Sequence, residues 1–375
     1  MALYLDNSAT TQIHPEVKNA MMPYLFEEYG NPSSKFYTLA ENAKSAVNEA
    51  RGHVAELIGC DIREVVFTSG ATESNNMIIK GVAEFYKDKL GKHIVTSKAE
   101  HSSVLETCKY LEDKGFKVTY LDVDHYGRIN IEDIKKIIKE DKPLLISLIW
   151  GNNEVGSLNP IKEVSDLCYE NNIYFHSDAT QVLGKVKISI SELPGLTFLS
   201  CSAHKLHGPK GIGAAIIKLD KLGLPTKITP LLHGGGQENN YRSGTLAVHN
   251  IVGFGKAAEI STKNLEKNIT KLEENEKYLM KSLSHKFGDY IAFNNDTQNK
   301  IPGIFSVIFK GINNELLVKK LSPYVAVSTG SACSTSKPSH VLKAMGLNAE
   351  EIKSTIRISL SSYTRKNDLN IFYDL

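Results

Sequence analysis

The 375-residue chain has little of what marks the specialised classes of protein. Its five cysteines, Cys60, Cys108, Cys168, Cys201 and Cys333, are odd in number and widely scattered, with no Cys-x-x-Cys. That pattern argues against a disulfide framework and a zinc site, and for a reducing cytoplasm. Neither sign of charge is in excess: 44 Lys and Arg face 42 Asp and Glu, a formal net charge of +2. The chain therefore has no electrostatic reason to bind nucleic acid or a membrane surface. No window approaches about 18 uninterrupted apolar residues, so no membrane span is expected. The N-terminus Met1–Asp6 has no basic region and no long apolar stretch, so no signal peptide is read there. Internal repeats and low-complexity tracts are also missing. What remains, 41% hydrophobic and 23% charged residues, fits an ordinary globular protein long enough for two domains.

From about residue 60, short apolar segments alternate with helical patterns. Strands are expected at Glu64–Thr68, His93–Thr96, Lys117–Leu121, Leu144–Trp150, Ile173–His176, Thr197–Cys201 and Ile212–Ile217. Helices are expected at Glu73–Lys87, Val104–Lys114, Ile131–Glu140 and Ile161–Glu170. Continuous apolar strands between helices imply an α/β fold with a mostly parallel sheet covered on both faces. Ligands of such sheets collect beyond the C-terminal strand ends. Ser69, His101, Asn153, Asp178 and Ser202 all fall at or just after such ends. The stretch Val248–His285 reads as a long connecting helix. Beyond it, Ile304–Phe309, Glu315–Leu321, Val325–Ser328, Pro338–Met345 and Thr355–Leu360 suggest a smaller α/β unit.

Two of these strand ends carry related chemistry. Asp178 closes the run Ile173–Ser177, and an acid at a buried strand end is unfavourable unless paired. Lys205 follows Ser202 and His204, just beyond Thr197–Cys201. Pyridoxal phosphate (PLP) needs a lysine for its Schiff base and a carboxylate for its pyridinium nitrogen, and this pair offers both. Gln181 could bond the ring oxygen. Read alone, Asp178 reads first as a helix cap and Lys205 as a solvated loop lysine. The turn Ser69–Ser74, with Ala71 and Thr72, joins a strand to a helix. Its small residues suit a phosphate cradle at the helix N-terminus, or an ordinary cap. His101 could stack on an aromatic cofactor and shuttle protons, or be a satisfied loop histidine. His204 and His207 have His-x-x-His spacing, but without a matching carboxylate or cysteine set they give no metal site. Arg357, a charge inside an alternating strand, could fork onto a substrate carboxylate or form a cross-strand ion pair. Cys333 lies in the small, polar, Gly-containing run Ser328–Pro338, where an accessible thiolate would be a nucleophile. The other four cysteines sit beside apolar or helical patterns and read as structural.

Ten segments occur in family order: Tyr4–Thr11, Gly30–Ser34, Phe67–Ser74, Glu100-His101, Asn152–Gly156, Asp178–Gln181, Ser202–Gly211, His233–Glu238, Arg242–Thr245 and Gly330–Cys333. Together they resemble the NifS/IscS-type cysteine desulfurases, of the aminotransferase class V, PLP fold-type I group. The Gly330–Cys333 segment is similar to that of the long-loop branch. The resemblance implies a large PLP-binding domain at residues 14–262 with a mostly parallel seven-stranded sheet. A small α/β domain would combine residues 1–13 with 263–375 and carry the Cys333 loop. Lys205 would hold PLP as a Schiff base, Asp178 would pair with the pyridinium, His101 would stack on the ring and Gln181 would bond its oxygen. Ala71, Thr72, Ser202 and His204 would hold the phosphate, and Thr245 would reach the phosphate of a partner subunit in a homodimer. Asn153 and Arg357 would bind the carboxylate of L-cysteine. Cys333 would take its sulfur as a persulfide, releasing L-alanine.

The sulfur would pass to an acceptor protein serving iron–sulfur cluster assembly, tRNA thiolation or DNA phosphorothioation. Another class V enzyme, a selenocysteine lyase or an aminotransferase, would not need Cys333, and a non-catalytic sulfur-carrier subunit would tolerate loss of Lys205. Two features depart from many relatives. Only four residues separate Cys333 from Pro338, and the sequence stops at Leu375, soon after Arg357. The first suggests a shorter swing for the loop. Because of the second, docking to an iron–sulfur scaffold is not carried over from the resemblance.

Overall fold

The computed structural model describes residues 2–220, 222–330 and 338–374. The chain opens with a short strand, β1 (Leu3–Tyr4), followed by helices α1 (Pro15–Met21), α2 (Pro23–Phe26) and α3 (Thr38–Ile58). The alternating region then runs β2 (Val65–Thr68), α4 (Ala71–Leu90), β3 (His93–Ser97), α5 (Ser102–Glu112), β4 (Lys117–Leu121), α6 (Ile131–Glu140), β5 (Leu145–Ile149), α7 (Ile161–Asn171), β6 (Tyr174–Asp178), β7 (Leu196–Ser202) and β8 (Gly213–Ile217). All seven strands expected in this region form, within two residues of their expected bounds.

They make one sheet in the order β2-β8-β7-β6-β5-β3-β4. Pairs among β3 to β7 are parallel, and β8 runs antiparallel to both β7 and β2. Every residue of β3 and β5 is buried, as continuous apolar strands covered by helices on both faces must be. The order reverses between β3 and β5, which creates the crevice in which open α/β sheets bind ligands.

The long helix α8 (Val248–Phe287) joins two cores. Its first turns, with Ile251, Phe254 and Ala258, pack into the core of the large sheet. Leu272, Leu279 and Leu283 pack into a second core around the antiparallel sheet of β9 (Ile291–Phe293), β10 (Ile304–Phe309) and β12 (Thr355–Ser359). Between these strands lie α9 (Asn314–Leu321), β11 (Val325–Ala326), α10 (His340–Ala344) and α11 (Ala349–Lys353), and α12 (Ile371–Asp374) follows. Strand β1 pairs in parallel with β11, and Leu5 is buried in the second core. Among the described residues, no helix is long and apolar enough to cross a membrane.

Helix α3 has no counterpart in the expected elements. Its buried face is mostly alanine (Ala40, Ala43, Ala46, Ala50 and Ala55), which carries little hydrophobic signal. The small side chains serve close packing on α8. A Cβ at Gly255 would lie 2.4 Å from the Cα of Ala50 and 2.5 Å from its Cβ. Overpacking such a contact costs on the order of 1–3 kcal/mol. Gly255→Ala should therefore lower the thermal midpoint by several degrees in differential scanning calorimetry, and an unchanged midpoint would refute this packing.

Candidate active site

A cleft of about 870 Å3 opens beyond the C-terminal ends of β3, β5, β6 and β7, a volume suited to a small-molecule site. Ala71, Thr72, His101, Asn153, Asp178, Gln181, Ser202, His204, Lys205 and Arg357 all line it. Residues scattered over nearly 290 positions of the sequence thus meet in one place. Thr245 does not line the cleft, and Cys333 lies outside the described residues.

The turn between β2 and α4 forms one wall. Gly70 stands at the head of α4 with φ +152, and no side chain caps this 20-residue helix. Its first N–H groups therefore need another acceptor, and the helix N-terminus favours an anion. A Cβ at Gly213 would come within 2.7 Å of the Cα of Gly70, so β8 can approach the turn only as glycine. Ser202 Oγ lies 3.6 Å from where a Cβ of Gly70 would be. The turn is braced from behind by Glu73, which accepts from the Ser69 N–H at 2.8 Å and from Arg242 Nε at 2.8 Å. The ordinary cap, the alternative for this turn, is not formed: neither Ser69 nor Thr72 caps the helix start with its side chain.

Asp178 ends β6 with both carboxyl oxygens engaged. Oδ1 accepts from the Thr180 N–H at 3.0 Å and Oδ2 from Asn75 Nδ2 at 2.8 Å. Asn75 Nδ2 also donates to Ser103 Oγ at 2.9 Å, and Ser103 Oγ contacts His101 Nδ1 at 2.8 Å. A hydrogen-bonded row thus runs Asp178–Asn75–Ser103–His101. His101 caps α5, its Nδ1 accepting from the Ser103 N–H at 3.1 Å. A backbone N–H can only donate, so the neutral ring carries its proton on Nε2. Burial holds the imidazole below its ordinary pKa, favouring that neutral ring. Asn75 and Ser103 were not legible as site residues. Their only sequence signal is a polar residue on the buried face of an amphipathic helix.

Lys205 Nζ donates to the backbone carbonyls of Ser8 and, at 2.7 Å, of Ala9. Gln181 Nε2 donates to the same Ser8 carbonyl at 2.9 Å. His204 Nδ1 meets Thr10 Oγ1 at 3.2 Å, and burial, with Lys205 and Lys210 nearby, pushes its pKa down to about 4. His207 instead faces the Gln12 carbonyl, at 2.9 Å from Nδ1. Arg357 forms an ion pair and also lines the cleft: Nη2 pairs with Asp6 Oδ1 at 2.8 Å, and Nη1 donates to the Asn153 carbonyl at 2.9 Å. Its Nε is buried without a hydrogen-bond partner. Glu100, fully buried beside His101, accepts from Ser97 Oγ at 2.6 Å, and burial pushes its pKa up to about 8, with Asp178 adding to the push.

Four of the five cysteines are free and shielded: Cys108, Cys168 and Cys201 are buried and Cys60 is half-buried. Burial raises all four thiols, Cys108 and Cys201 to about 12. They are poor nucleophiles, in keeping with a structural role. The donor set fits PLP. An uncapped helix N-terminus suits a phosphate, a strand-end carboxyl suits a pyridine nitrogen, an amine faces the same cleft, and an unpartnered guanidinium N–H awaits an acceptor.

The chain matches the model of the aminotransferase class-V family over residues 3–372. It is 44% identical to the cysteine desulfurase IscS of Dictyoglomus turgidum over 376 residues, covering 100% of this chain and 93% of that one. It is 41% identical to the cysteine desulfurase IscS of Buchnera aphidicola, covering 98% and 90%. Among solved structures it superposes on a NifS-like protein with a TM-score of 0.91 at 37% identity, covering 100% and 98%. It superposes on SspA in complex with cysteine with a TM-score of 0.83 at 33% identity, covering 97% and 100%. With its fold, its cleft and these relatives in agreement, the chain belongs to the PLP-dependent aminotransferase class-V family, in the branch of the NifS/IscS-type cysteine desulfurases.

Proposed function

We infer that the chain is a cysteine desulfurase that converts L-cysteine to L-alanine and holds the released sulfur as a persulfide on Cys333. The observation that carries this reading is the meeting of Lys205, Asp178 and the uncapped start of α4 in a cleft that Arg357 also lines. When bound, PLP supplies an electron sink for the charge left on the substrate as its Cα proton departs. Lys205 Nζ attaches the cofactor and moves protons at the substrate. The N–H groups of Ala71 and Thr72, with Ser202 and His204, hold the phosphate. Asp178 keeps the ring nitrogen protonated, Gln181 bonds the ring oxygen and His101 covers the ring. Asn153 and Arg357 orient the substrate carboxylate. SspA, a relative at 33% identity, is known in complex with cysteine, which supports this substrate class.

The working enzyme is a homodimer. Thr245 stays out of its own cleft, while Tyr29 and Phe36 are 73% and 97% exposed, a large apolar area for one chain to leave in water. Residues 14–262 act as the PLP-binding domain, and residues 1–13 with 263–375 as the domain that presents Cys333. The persulfide sulfur passes to an acceptor protein in the cytoplasm.

Cys333→Ala should keep its bound PLP and yellow colour but lose persulfide formation from L-cysteine. Undiminished cysteine turnover in that variant would sink the persulfide route and favour a class V lyase or aminotransferase. Lys205→Ala should lose the covalently attached cofactor, seen as a mass difference after borohydride reduction of the wild type alone. Asn75→Ala removes the side-chain donor of Asp178, a hydrogen bond worth about 1.5–3 kcal/mol when one partner is charged. PLP should then dissociate at least about 10-fold faster and its visible band should titrate at a different pH. Wild-type retention and an unmoved titration would remove Asn75 from the site.

A further inference from the structure

Gln181 is buried, and its two amide ends face opposite demands. The Ser8 carbonyl can only accept, so the end 2.9 Å from it is Nε2. On the other side Lys185 Nζ, a donor, stands 3.2 Å from Oε1. Four residues of chain thus bring an amine behind the amide, on the side away from Ser8.

Lys185 is costly where it is. Burial, reinforced by Lys205 and Arg357, pushes its pKa down to about 7. Among the described residues no carboxylate forms a salt bridge with it, and its one side-chain hydrogen bond is to Gln181. Lys185 is half-buried and lines a cavity of about 30 Å3, together with Lys205, His207, Asn7 and Thr11. That space suits one ordered water, enough to serve a second amine N–H. A methionine would fill the same volume without the cost of burying an amine.

We propose that Lys185 is a positioning residue of the cofactor site: it fixes the Gln181 amide so that the NH2 group, already tied to Ser8, offers its second N–H to the cleft. This inference rests on the PLP reading above. Without Lys185, Oε1 would be a buried acceptor with no partner, and Ser8 alone would hold the amide in the orientation that aims its donor end at the ring oxygen. The Ser8 carbonyl also accepts from Lys205 Nζ, so the amide and the attachment lysine share one anchor. A disordered Gln181 therefore loosens the site at the point where the cofactor is held.

The test is a double-mutant cycle on PLP binding to the apo-protein, read by the visible band rather than by turnover. Lys185→Met should weaken PLP binding about 10-fold, as loss of one hydrogen bond to a polar group does. Gln181→Ala should weaken it at least as much, and the double variant no further than Gln181→Ala alone. Lys185→Arg, which keeps a donor, should recover most of the loss. Wild-type binding by Lys185→Met, or two losses that multiply in the double variant, would overturn the proposal. Thermal unfolding of each apo-protein checks folding, and Lys185→Leu takes the place of the Met variant in the cycle if that one does not fold. A wild-type protein that takes up no PLP would fail at the first step, overturning the cofactor reading and this inference together.

Discussion

The backbone between Asp6 and Thr11 holds the site together. It leaves the small sheet at β1, crosses to the large one and spends its polar groups on the residues that matter. Asp6 pairs with Arg357, the Ser8 and Ala9 carbonyls accept from Lys205, Ser8 accepts from Gln181, and Thr10 meets His204. The Thr11 N–H donates to the His204 carbonyl at 2.9 Å, closing the segment onto the turn after β7. Six residues, turned at Asn7–Ala9, thus set the distance between the amine of one unit and the guanidinium of the other. A buried carbonyl that lost either lysine or glutamine would be left short of donors, so these contacts form or fail together.

The charge pattern follows from burial. Lys205, Lys210 and Arg357 line the cleft and Lys185 lies just behind it. The acids nearby are muted: desolvation raises Glu100 to about 8 and pushes Glu154 upward too. His101 and His204 are driven the other way, toward the neutral ring. For these histidines the folded pKa lies below the unfolded one, so the stability gained from burying them neutral is present above the ordinary histidine range. It is lost as pH falls below that range. Beside the carboxylates of Asp178, Glu106 and the Arg242-paired Glu73, the cleft thus offers its ligand cations and neutral donors, which suits a molecule bearing a phosphate and a carboxylate.

How much of this was legible in the sequence depended on the residue. The strands of the large sheet were legible because continuous apolar runs between helices have few alternatives, and Lys117–Leu121, Ile131–Glu140 and Ile304–Phe309 form with the expected bounds. The expected strand Val325–Ser328 pairs only as Val325–Ala326, with Ser328 reduced to a single bridge to Arg357. Helix α3 was missed because alanine packs closely without looking hydrophobic, and β9 because three residues carry no period. At the site, Lys205 and Asp178 stood out by their places at strand ends. Asn75, Ser103, Glu100 and Lys185 did not, since each acts through another side chain. Such roles depend on which residues of distant segments become neighbours, and local pattern holds no trace of that.

Chemistry beyond a generic PLP site turns on a thiol. The four described cysteines are excluded by burial, which raises every one of them. Cys333 differs by its chain neighbours. Gly330, Pro338 and His340 line the cleft, and the Gly330 carbonyl accepts from Arg357 Nη1 at 3.3 Å. Ser339 donates to Glu154 at 2.6 Å and His340 Nε2 reaches the Glu100 carbonyl at 2.8 Å, so the chain is pinned on the far side as well. On the proposed reading, the Cys333 thiol would meet a substrate whose carboxylate lies on Arg357. On that reading the rigid sheets would fix where the cysteine sulfur is released, and the four shielded thiols would leave Cys333 to take it.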